Sequence, residues 1–253
     1  MFELLSDSSG RILKFDLETR ETQVLVEEIN FANGLELSPE EDYILFTETG
    51  RARIHKYYLT GERSGEVKVL VNSLPGLPDN IKLNDRGNYY VGLIGPRLPG
   101  TWHILELVAP HNILRKFISR LVCMVLIPSK LLNLVFPTSA SLQFEYWCGN
   151  LEPFAHLTRP YGLVVEVDGK TGDIISSLHS TNGAVRFISE AVVLDRWVYL
   201  GSPYTNYLAR VPQRIRDTNT RISSAEVQLG LGEEKEEADD IEEIDDEEFK
   251  DEL

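Results

Sequence analysis

A glutamate stands at the start of a strongly apolar segment in residues 186–202, RFISEAVVLDRWVYLGS. The Val, Leu, Trp and Tyr residues that follow Glu190 are typical of a strand that is buried on at least one face. A carboxylate beside such a strand is costly to desolvate unless something balances its charge. Glu190 is therefore either an edge or loop glutamate in water or a member of a polar site.

The segment around Glu190 belongs to a repeat. VLVEEINFANGLELSPEEDYILF from Val24 aligns with VLVNSLPGLPDNIKLNDRGNYYVG from Val69, and a third copy begins at Ser177. The alignment places Glu190 on Asn80, with Asn33 within one residue of the same position. The spacing of about 45 residues between the first two copies is typical of one four-stranded propeller blade.

This repeat predicts a shared site for the three side chains. The innermost strands of propeller blades begin at one end of the central channel, so Asn33, Asn80 and Glu190 are predicted to surround one point there. Six to eight such oxygen atoms are the usual ligands of Ca²⁺. Asn-Gly and Asp-Asn are also strong turn formers, so a purely conformational role for these asparagines stays open.

The elements that would position this site are short strands. From Gly10 to about Gly95, segments such as RILKFD, DYILFTE and NYYVGL alternate with Gly, Asp, Asn and Ser, which predicts an antiparallel all-β fold. We predict that residues 1–213 form a partial β-propeller of about three to four blades, interrupted by an insertion at residues 97–159.

The insertion contains HNILRKFISRLVCMVLIPSKLLNLVF, which predicts a basic amphipathic helix that Pro128 ends or kinks. No uninterrupted apolar run in it approaches the ~20 residues of a membrane span. Residues 111–127 are expected either to dock on the propeller or to lie on a membrane surface.

The formal net charge of −15 is concentrated at one end of the chain. Residues 233–253 contain fourteen Asp or Glu and two Lys, so the rest of the chain carries a net charge of only −3. We therefore predict that residues 214–253 form an acidic, disordered tail. No basic stripe offsets phosphate charge, which argues against a nucleic-acid partner. Cys123 and Cys148 form either a disulfide or two separate thiols.

The chain ends in Lys250, Asp251, Glu252 and Leu253. This KDEL sequence is read by a receptor that retains proteins in the lumen of the endoplasmic reticulum, so we predict that receptor as a partner and that lumen as the location. The first residues have neither the basic start nor the apolar core of a signal peptide. The entry signal is therefore expected upstream of Met1.

Three ordered motifs give the chain a family resemblance. FANGLELSPEEDYILFTET, LPGLPDNIKLNDRGNYYVGL and FISEAVVLDRWVYLGS resemble the strictosidine synthase-like family, in its animal branch, over about Gly10 to Val211. The resemblance implies a six-bladed β-propeller related to paraoxonases and other calcium-dependent lactonases. Because the chain has strands for only three to four blades, it looks N-terminally truncated.

The resemblance also implies roles for individual residues. Asn33 and Asn80 would be metal-site or channel residues, and Glu190 lies within a residue of the glutamate that serves as catalytic base in the plant enzymes. His179 and Asn182 lie in the loop SLHSTNG, where the animal members usually have an Asp before the Gly. Asn182 would keep an oxygen ligand but remove a charge, and His179 would be a secondary proton carrier.

The predicted function is therefore Ca²⁺-dependent hydrolysis of a small ester or lactone, of the arylesterase or lactonase type, in the endomembrane system. Strictosidine synthesis itself is not expected, because no aromatic pocket for amine condensation is evident. Two alternatives stay open: a binding or scaffold propeller with a structural metal ion, and a luminal calcium buffer that acts through the acidic tail.

Overall fold

The computed structural model describes residues 8–98, 108, 111–150 and 160–213. The predicted tail at residues 214–253, with its KDEL terminus, lies outside the described residues, as do parts of the insertion. The described strands are β1 (Gly10–Phe15), β2 (Thr22–Ile29), β3 (Ala32–Leu37), β4 (Tyr43–Glu48), β5 (Arg53–Tyr58), β6 (Val67–Val71), β7 (Gly76–Leu83), β8 (Tyr89–Pro96), β9 (Gly162–Val167), β10 (Ile174–Ser180), β11 (Glu190–Leu194), β12 (Trp197–Gly201) and β13 (Ala209–Pro212). A single 3₁₀ turn, Thr49–Arg51, separates β4 from β5.

These strands form four antiparallel sheets in which each strand pairs with its neighbour in sequence. Strands β3 to β6 and β7 to β10 make two four-stranded sheets, β11 to β13 make a three-stranded sheet, and β1 pairs with β2. Consecutive four-stranded meanders are the blades of a β-propeller. The predicted all-β class and partial propeller of three to four blades are confirmed.

Each sheet packs face to face against the next, and alternating side chains on the central strands show how. On β4, Tyr43 and Leu45 point into the core shared with the sheet β7 to β10, whereas Ile44 and Phe46 point toward β1 and β2. Every residue of β4 and of β9 is buried as a result. Strands buried on both faces are near-continuous apolar runs, which explains YILFTE and GLVVEV.

Two glycines let neighbouring sheets approach to backbone contact. A Cβ added to Gly92 on β8 would lie 2.7 Å from the carbonyl oxygens of Ile188 and Ser189 at the start of the next sheet. A Cβ added to Gly34 on β3 would lie 2.7 Å from the Cα of Asn80. Backbone atoms cannot move aside as a flexible side chain can, so these positions require glycine.

Two glutamates are almost fully buried within the sheets, and each has its own partners. Glu48 Oε2 lies 2.8 Å from His55 Nε2, and Glu48 Oε1 accepts a hydrogen bond from the backbone of Asn30 at 2.9 Å. Glu166 Oε1 accepts hydrogen bonds from Asn84 and Asn88, each at 3.0 Å. Burial raises the pKa of each carboxyl, but the hydrogen bonds and the nearby positive charges outweigh it, so both pKa values lie below their ordinary value.

The insertion between β8 and β9 forms a helical hairpin, with helices α1 (Asn112–Val135) and α2 (Ser139–Asn150). The prediction that Pro128 might end the helix is wrong, since α1 continues for another seven residues and packs against α2. By length and composition α1 is also apolar enough to cross a membrane. This differs from the sequence prediction because isolated charged residues interrupt the apolar run without removing its overall hydrophobic character.

The close contact at Gly92 makes a first prediction. Gly92→Ala should lower the free energy of unfolding by about 1–3 kcal/mol, because the added methyl group forces neighbouring backbone apart. Gly201→Ala is the matched control, since a Cβ there would meet only Ser189 Oγ at 4.0 Å and should change stability by less than about 0.5 kcal/mol. Urea denaturation of both variants measures the difference, and equal stabilities would contradict the proposed close packing.

The buried Glu48 makes a second prediction. Because the pKa of Glu48 is lowered by folding, its ionised form stabilises the protein above pH 4.5, and this contribution is lost as the pH falls through the pKa of the folded state. Glu48→Gln should therefore cost about 1–3 kcal/mol at pH 7 and progressively less in acid. Glu27→Gln, at an exposed site, serves as the control in thermal melts from pH 7 to pH 3. A cost for Glu48→Gln that is independent of pH would contradict the assignment.

Candidate functional site

The first strands of three sheets, β3, β7 and β11, pack side by side. Thr47 Oγ1 on β4 donates a hydrogen bond to the Asp79 carbonyl of β7 at 2.7 Å, and the backbone N–H of Asn80 donates to the Ser189 carbonyl just before β11 at 3.0 Å. These bonds tie each sheet to the next at the same level. They place the predicted site residues Asn33, Asn80 and Glu190 on adjoining strands.

A matching irregularity sets the positions of the two asparagines. In β3 three residue steps from Ala32 to Leu35 oppose two steps on β4, and in β7 three steps from Pro78 to Ile81 oppose two steps on β8. Each is a β-bulge, which bends the strand and changes the direction of its side chains. Asn33 therefore corresponds to Asp79, and Gly34 corresponds to Asn80. Both asparagines lie within strands, so the interpretation of these dipeptides as turns is wrong.

Asp79 is the residue of this region that sequence reasoning missed. Its carboxyl is half-buried, and desolvation raises its pKa above the ordinary value of 3.8. A hydrogen bond from the Asn33 amide acts in the opposite direction, whereas the negative charge of Glu190 raises the pKa further. Two carboxylates that influence each other in this way favour a proton or a cation between them. The signal was present in the sequence, since Asp79 directly precedes Asn80 in the repeat.

A lysine supplies positive charge beside these acids. Lys82 Nζ lies 3.1 Å from Glu36 Oε2 on β3 and 4.0 Å from Glu190 Oε1 on β11. Lys82 therefore links the three first strands electrostatically, and it partly balances the charge of the half-buried Glu190.

Hydrogen bonds fix the orientation of Asn33. Its Nδ2 donates to Thr49 Oγ1 at 3.3 Å, and Thr49 Oγ1 in turn donates to the Pro78 carbonyl at 2.7 Å. The amide nitrogen of Asn33 also donates a hydrogen bond to the Asp79 carboxylate, because a carboxylate can only accept. The amide oxygen is then the atom of Asn33 that would bind a cation.

The structure places Asn182 and His179 apart from the first strands. Asn182 lies exposed in the turn after β10, where its Oδ1 accepts hydrogen bonds from the backbone of Ala184 at 3.1 Å and from Ser180 Oγ at 3.3 Å. His179 lies on β10, the strand of its sheet farthest from β7. The ligand role of Asn182 and the proton-carrier role of His179 stay predictions.

Both ring nitrogens of His179 have hydrogen-bond partners. Nδ1 lies 2.7 Å from the Tyr161 hydroxyl, and Nε2 lies 2.7 Å from Ser177 Oγ. Burial lowers the pKa of His179 below its ordinary value of 6.5, so the ring is neutral at physiological pH.

The donor set at the first strands fits a hard cation. Asp79 and Glu190 offer carboxylate oxygens, and Asn33 and Asn80 offer amide oxygens, which are the ligand types of Ca²⁺. Among the described residues no group of three or more His, Cys, Asp or Glu side chains meets as a metal cluster.

The sequence is similar to a known protein family and to several animal proteins. Residues 1–62 match the family described as strictosidine synthase. The chain is 33% identical over 238 residues to "Adipocyte plasma membrane-associated protein Hemomucin" of Drosophila melanogaster, covering 92% of this chain and 41% of that protein. The predicted resemblance to the strictosidine synthase-like family is confirmed. The adipocyte plasma membrane-associated proteins of Bos taurus and Homo sapiens, from the same animal branch, are each 31% identical over 203 residues.

The chain spans about two-fifths of the length of these relatives. Solved structures that are similar to parts of it include a nidogen/laminin complex, with a TM-score of 0.44 and 9% identity over 80% of this chain and 51% of that chain. Regucalcin from Agrobacterium tumefaciens, titled a calcium-binding protein, has a TM-score of 0.30 and 17% identity over 35% of this chain and 31% of that chain.

The raised pKa of Asp79 makes a third prediction. Its ionised form destabilises the folded state, so stability is lost as the pH rises above 3.8. In calcium-free buffer, Asp79→Asn should raise the melting temperature at pH 7 by a few degrees and have little effect near pH 3. Asp173→Asn, on an exposed loop, is the matched control. A fall in melting temperature for Asp79→Asn at pH 7 would show that this carboxylate is not under electrostatic strain.

Proposed function

We propose that the protein is a Ca²⁺-dependent hydrolase of small esters or lactones that works in the endomembrane system. The observation that carries the proposal is the desolvated Asp79 carboxyl, which accepts a hydrogen bond from the Asn33 amide of one adjacent strand and lies near the charge of Glu190 on the other. A desolvated carboxylate beside a second negative charge is stabilised when a divalent cation binds to it.

In this proposal, one set of residues binds the cation and Glu190 transfers the proton. Asn33, Asp79 and Asn80 would hold the cation, and the Thr49 hydroxyl and the bulges in β3 and β7 keep them in place. Bound Ca²⁺ would supply Lewis-acid polarisation of an ester carbonyl. Glu190 is exposed enough to reach water, and it accepts the proton of the attacking water as general base. Lys82 Nζ lies 4.0 Å from Glu190 Oε1 and helps to hold this side chain in place.

A location in the endomembrane system is supported by two observations. The animal relatives carry the words "plasma membrane-associated" in their names. The KDEL sequence Lys250 to Leu253 is the address recognised by the retention receptor of the endoplasmic reticulum. We propose on this basis that the chain follows the secretory route and is retrieved to the endoplasmic reticulum.

A binding propeller with a structural cation site is the second candidate. Lys82 already forms an ion pair with Glu36 at 3.1 Å within the same group of strands, which is what a site built for stability would contain. In that case bound Ca²⁺ would tie three sheets together without turning over any substrate.

The fourth prediction separates the two candidates. The purified protein should hydrolyse phenyl acetate in Ca²⁺, and chelator should abolish turnover. Glu190→Gln should lower kcat at least about 100-fold while Ca²⁺ still raises its melting temperature, because the base is lost and the other ligands remain. Glu27→Gln, on the exposed pair with Arg11, is the matched control and should keep full activity.

Each other result decides against the hydrolase. If Ca²⁺ raises the melting temperature but phenyl acetate and a lactone are both untouched, the binding propeller is supported. If Ca²⁺ changes neither activity nor melting temperature, and Asp79→Asn behaves like the parent protein in both assays, neither candidate is correct.

A further inference from the structure

The α1–α2 hairpin, residues 112–150, exposes a large apolar surface, unlike a helical hairpin in water. Large apolar side chains are exposed along its outside: Ile113, Leu114, Phe117, Leu121, Met124, Val125, Ile127, Leu131, Leu132, Leu134 and Val135 on α1, and Leu142, Phe144, Tyr146 and Trp147 on α2. Soluble monomers rarely present a continuous apolar surface of this kind. A hairpin in water would turn this surface inward.

The contact between the two helices includes polar side chains. The less exposed positions of α1 recur at helical spacing and are of mixed polarity: Arg115, Ile118, Ser119, Val122, Leu126, Ser129 and Asn133. Among the described side chains of α2, the less exposed ones are Ser141 and Glu145, both polar. Asn133 Nδ2 donates a hydrogen bond to Glu145 Oε2 across the helices at 2.7 Å. A polar pair between two helices that expose large apolar side chains on their outside is typical of helices packed in lipid.

The charge of the hairpin complements a lipid surface. Residues 112–150 carry four basic side chains, Arg115, Lys116, Arg120 and Lys130, and one acidic side chain, Glu145, although the whole chain has a net charge of −15. Basic side chains next to an apolar surface favour anionic lipid headgroups. Tyr146 and Trp147 are both exposed, and these are the residues that bilayer interfaces favour.

The sheet topology determines how the hairpin can enter a bilayer. Strands β8 and β9, from which the insertion departs and to which it returns, are neighbours in one sheet, with Leu93 opposite Leu163. Both ends of the insertion are therefore on the same side of any membrane. Helix α1 is about 36 Å long and α2 only about 18 Å, against a hydrocarbon core of about 30 Å. Of the described helices only α1 is long enough to span this core. A single span would leave the chain on the far side of the membrane, so it could not return to β9.

We propose that the α1–α2 hairpin inserts into an anionic lipid bilayer from one side, without crossing it, and holds the propeller at the membrane surface. The apolar tip formed by Leu134, Val135 and Phe136, all exposed, enters deepest. The basic residues of the first half of α1 lie at the headgroups. This extends the predicted surface contact of residues 111–127 to both helices and defines its depth.

Vesicle flotation tests the binding. The protein should float with vesicles of phosphatidylcholine containing about 30% phosphatidylserine, and more weakly with phosphatidylcholine alone. Leu134→Glu with Phe136→Glu should reduce the bound fraction at least about tenfold, because two carboxylates would have to enter hydrocarbon. Leu17→Glu with Leu208→Glu, at exposed apolar positions outside the hairpin, is the matched control and should bind like the parent protein. Circular dichroism checks that both variants are folded.

A thiol-labelling experiment tests one-sided insertion. Ala140→Cys, exposed near the tip, is introduced with Cys123→Ser and Cys148→Ser. On sealed vesicles this thiol should resist a membrane-impermeant maleimide, whether the reagent is added outside or trapped inside, and react once detergent is added. Reaction with trapped reagent would show that the hairpin crosses the bilayer. Absence of flotation at either lipid composition, with the hairpin variants altering self-association instead, would show that a second copy covers this surface.

Discussion

The structure depends on the close approach of backbone to backbone where neighbouring sheets meet, at β3 against β7 and at β8 against the residues just before β11. Gly34 and Gly92 have no side chain at the contact, so Asn80 can bond the Ser189 carbonyl and Thr47 can bond the Asp79 carbonyl. These bonds set the distance between sheets, and that distance decides which side chains share one end of the channel. Larger residues at the glycine positions would separate the strands and the polar groups with them.

The same contact explains why charge accumulates there. Close packing removes water from Asp79, and the next strand brings the carboxylate of Glu190 near it. The fold accepts this unfavourable arrangement because β4 and β9, buried on both faces, supply ample apolar stabilisation on either side. Polar residues under strain within an otherwise well-satisfied β structure are more often functional than structural. Glu48 and Glu166, whose carboxylates are hydrogen bonded within the sheets, are examples of buried acids with a structural role.

The sequence predicted the all-β class and the neighbouring positions of Asn33, Asn80 and Glu190, because strand periodicity and the repeat are local patterns. It did not reveal the bulges, which shift the correspondence by one residue and bring Asp79 into the group, since a bulge depends on pairing with a partner strand. The ion pairs of Lys82 join three strands that are distant in sequence, so no local pattern contains them. Pro128 predicts an end or a kink in the helix, and α1 continues past it because good helix formers flank it.

The position of the hairpin in the middle of a sheet affects how the chain folds. β8 must pair with β9 across residues 97–161, and closing so long a loop costs conformational entropy before any contact offsets it. During synthesis, the sheet begun by β7 and β8 keeps an unpaired edge until the residues beyond 160 leave the ribosome. A hairpin that forms early would replace flexible residues of this loop with two ordered helices and so shorten the effective loop. The insertion would then help β8 to pair with β9 during folding, in addition to providing the apolar surface of the hairpin.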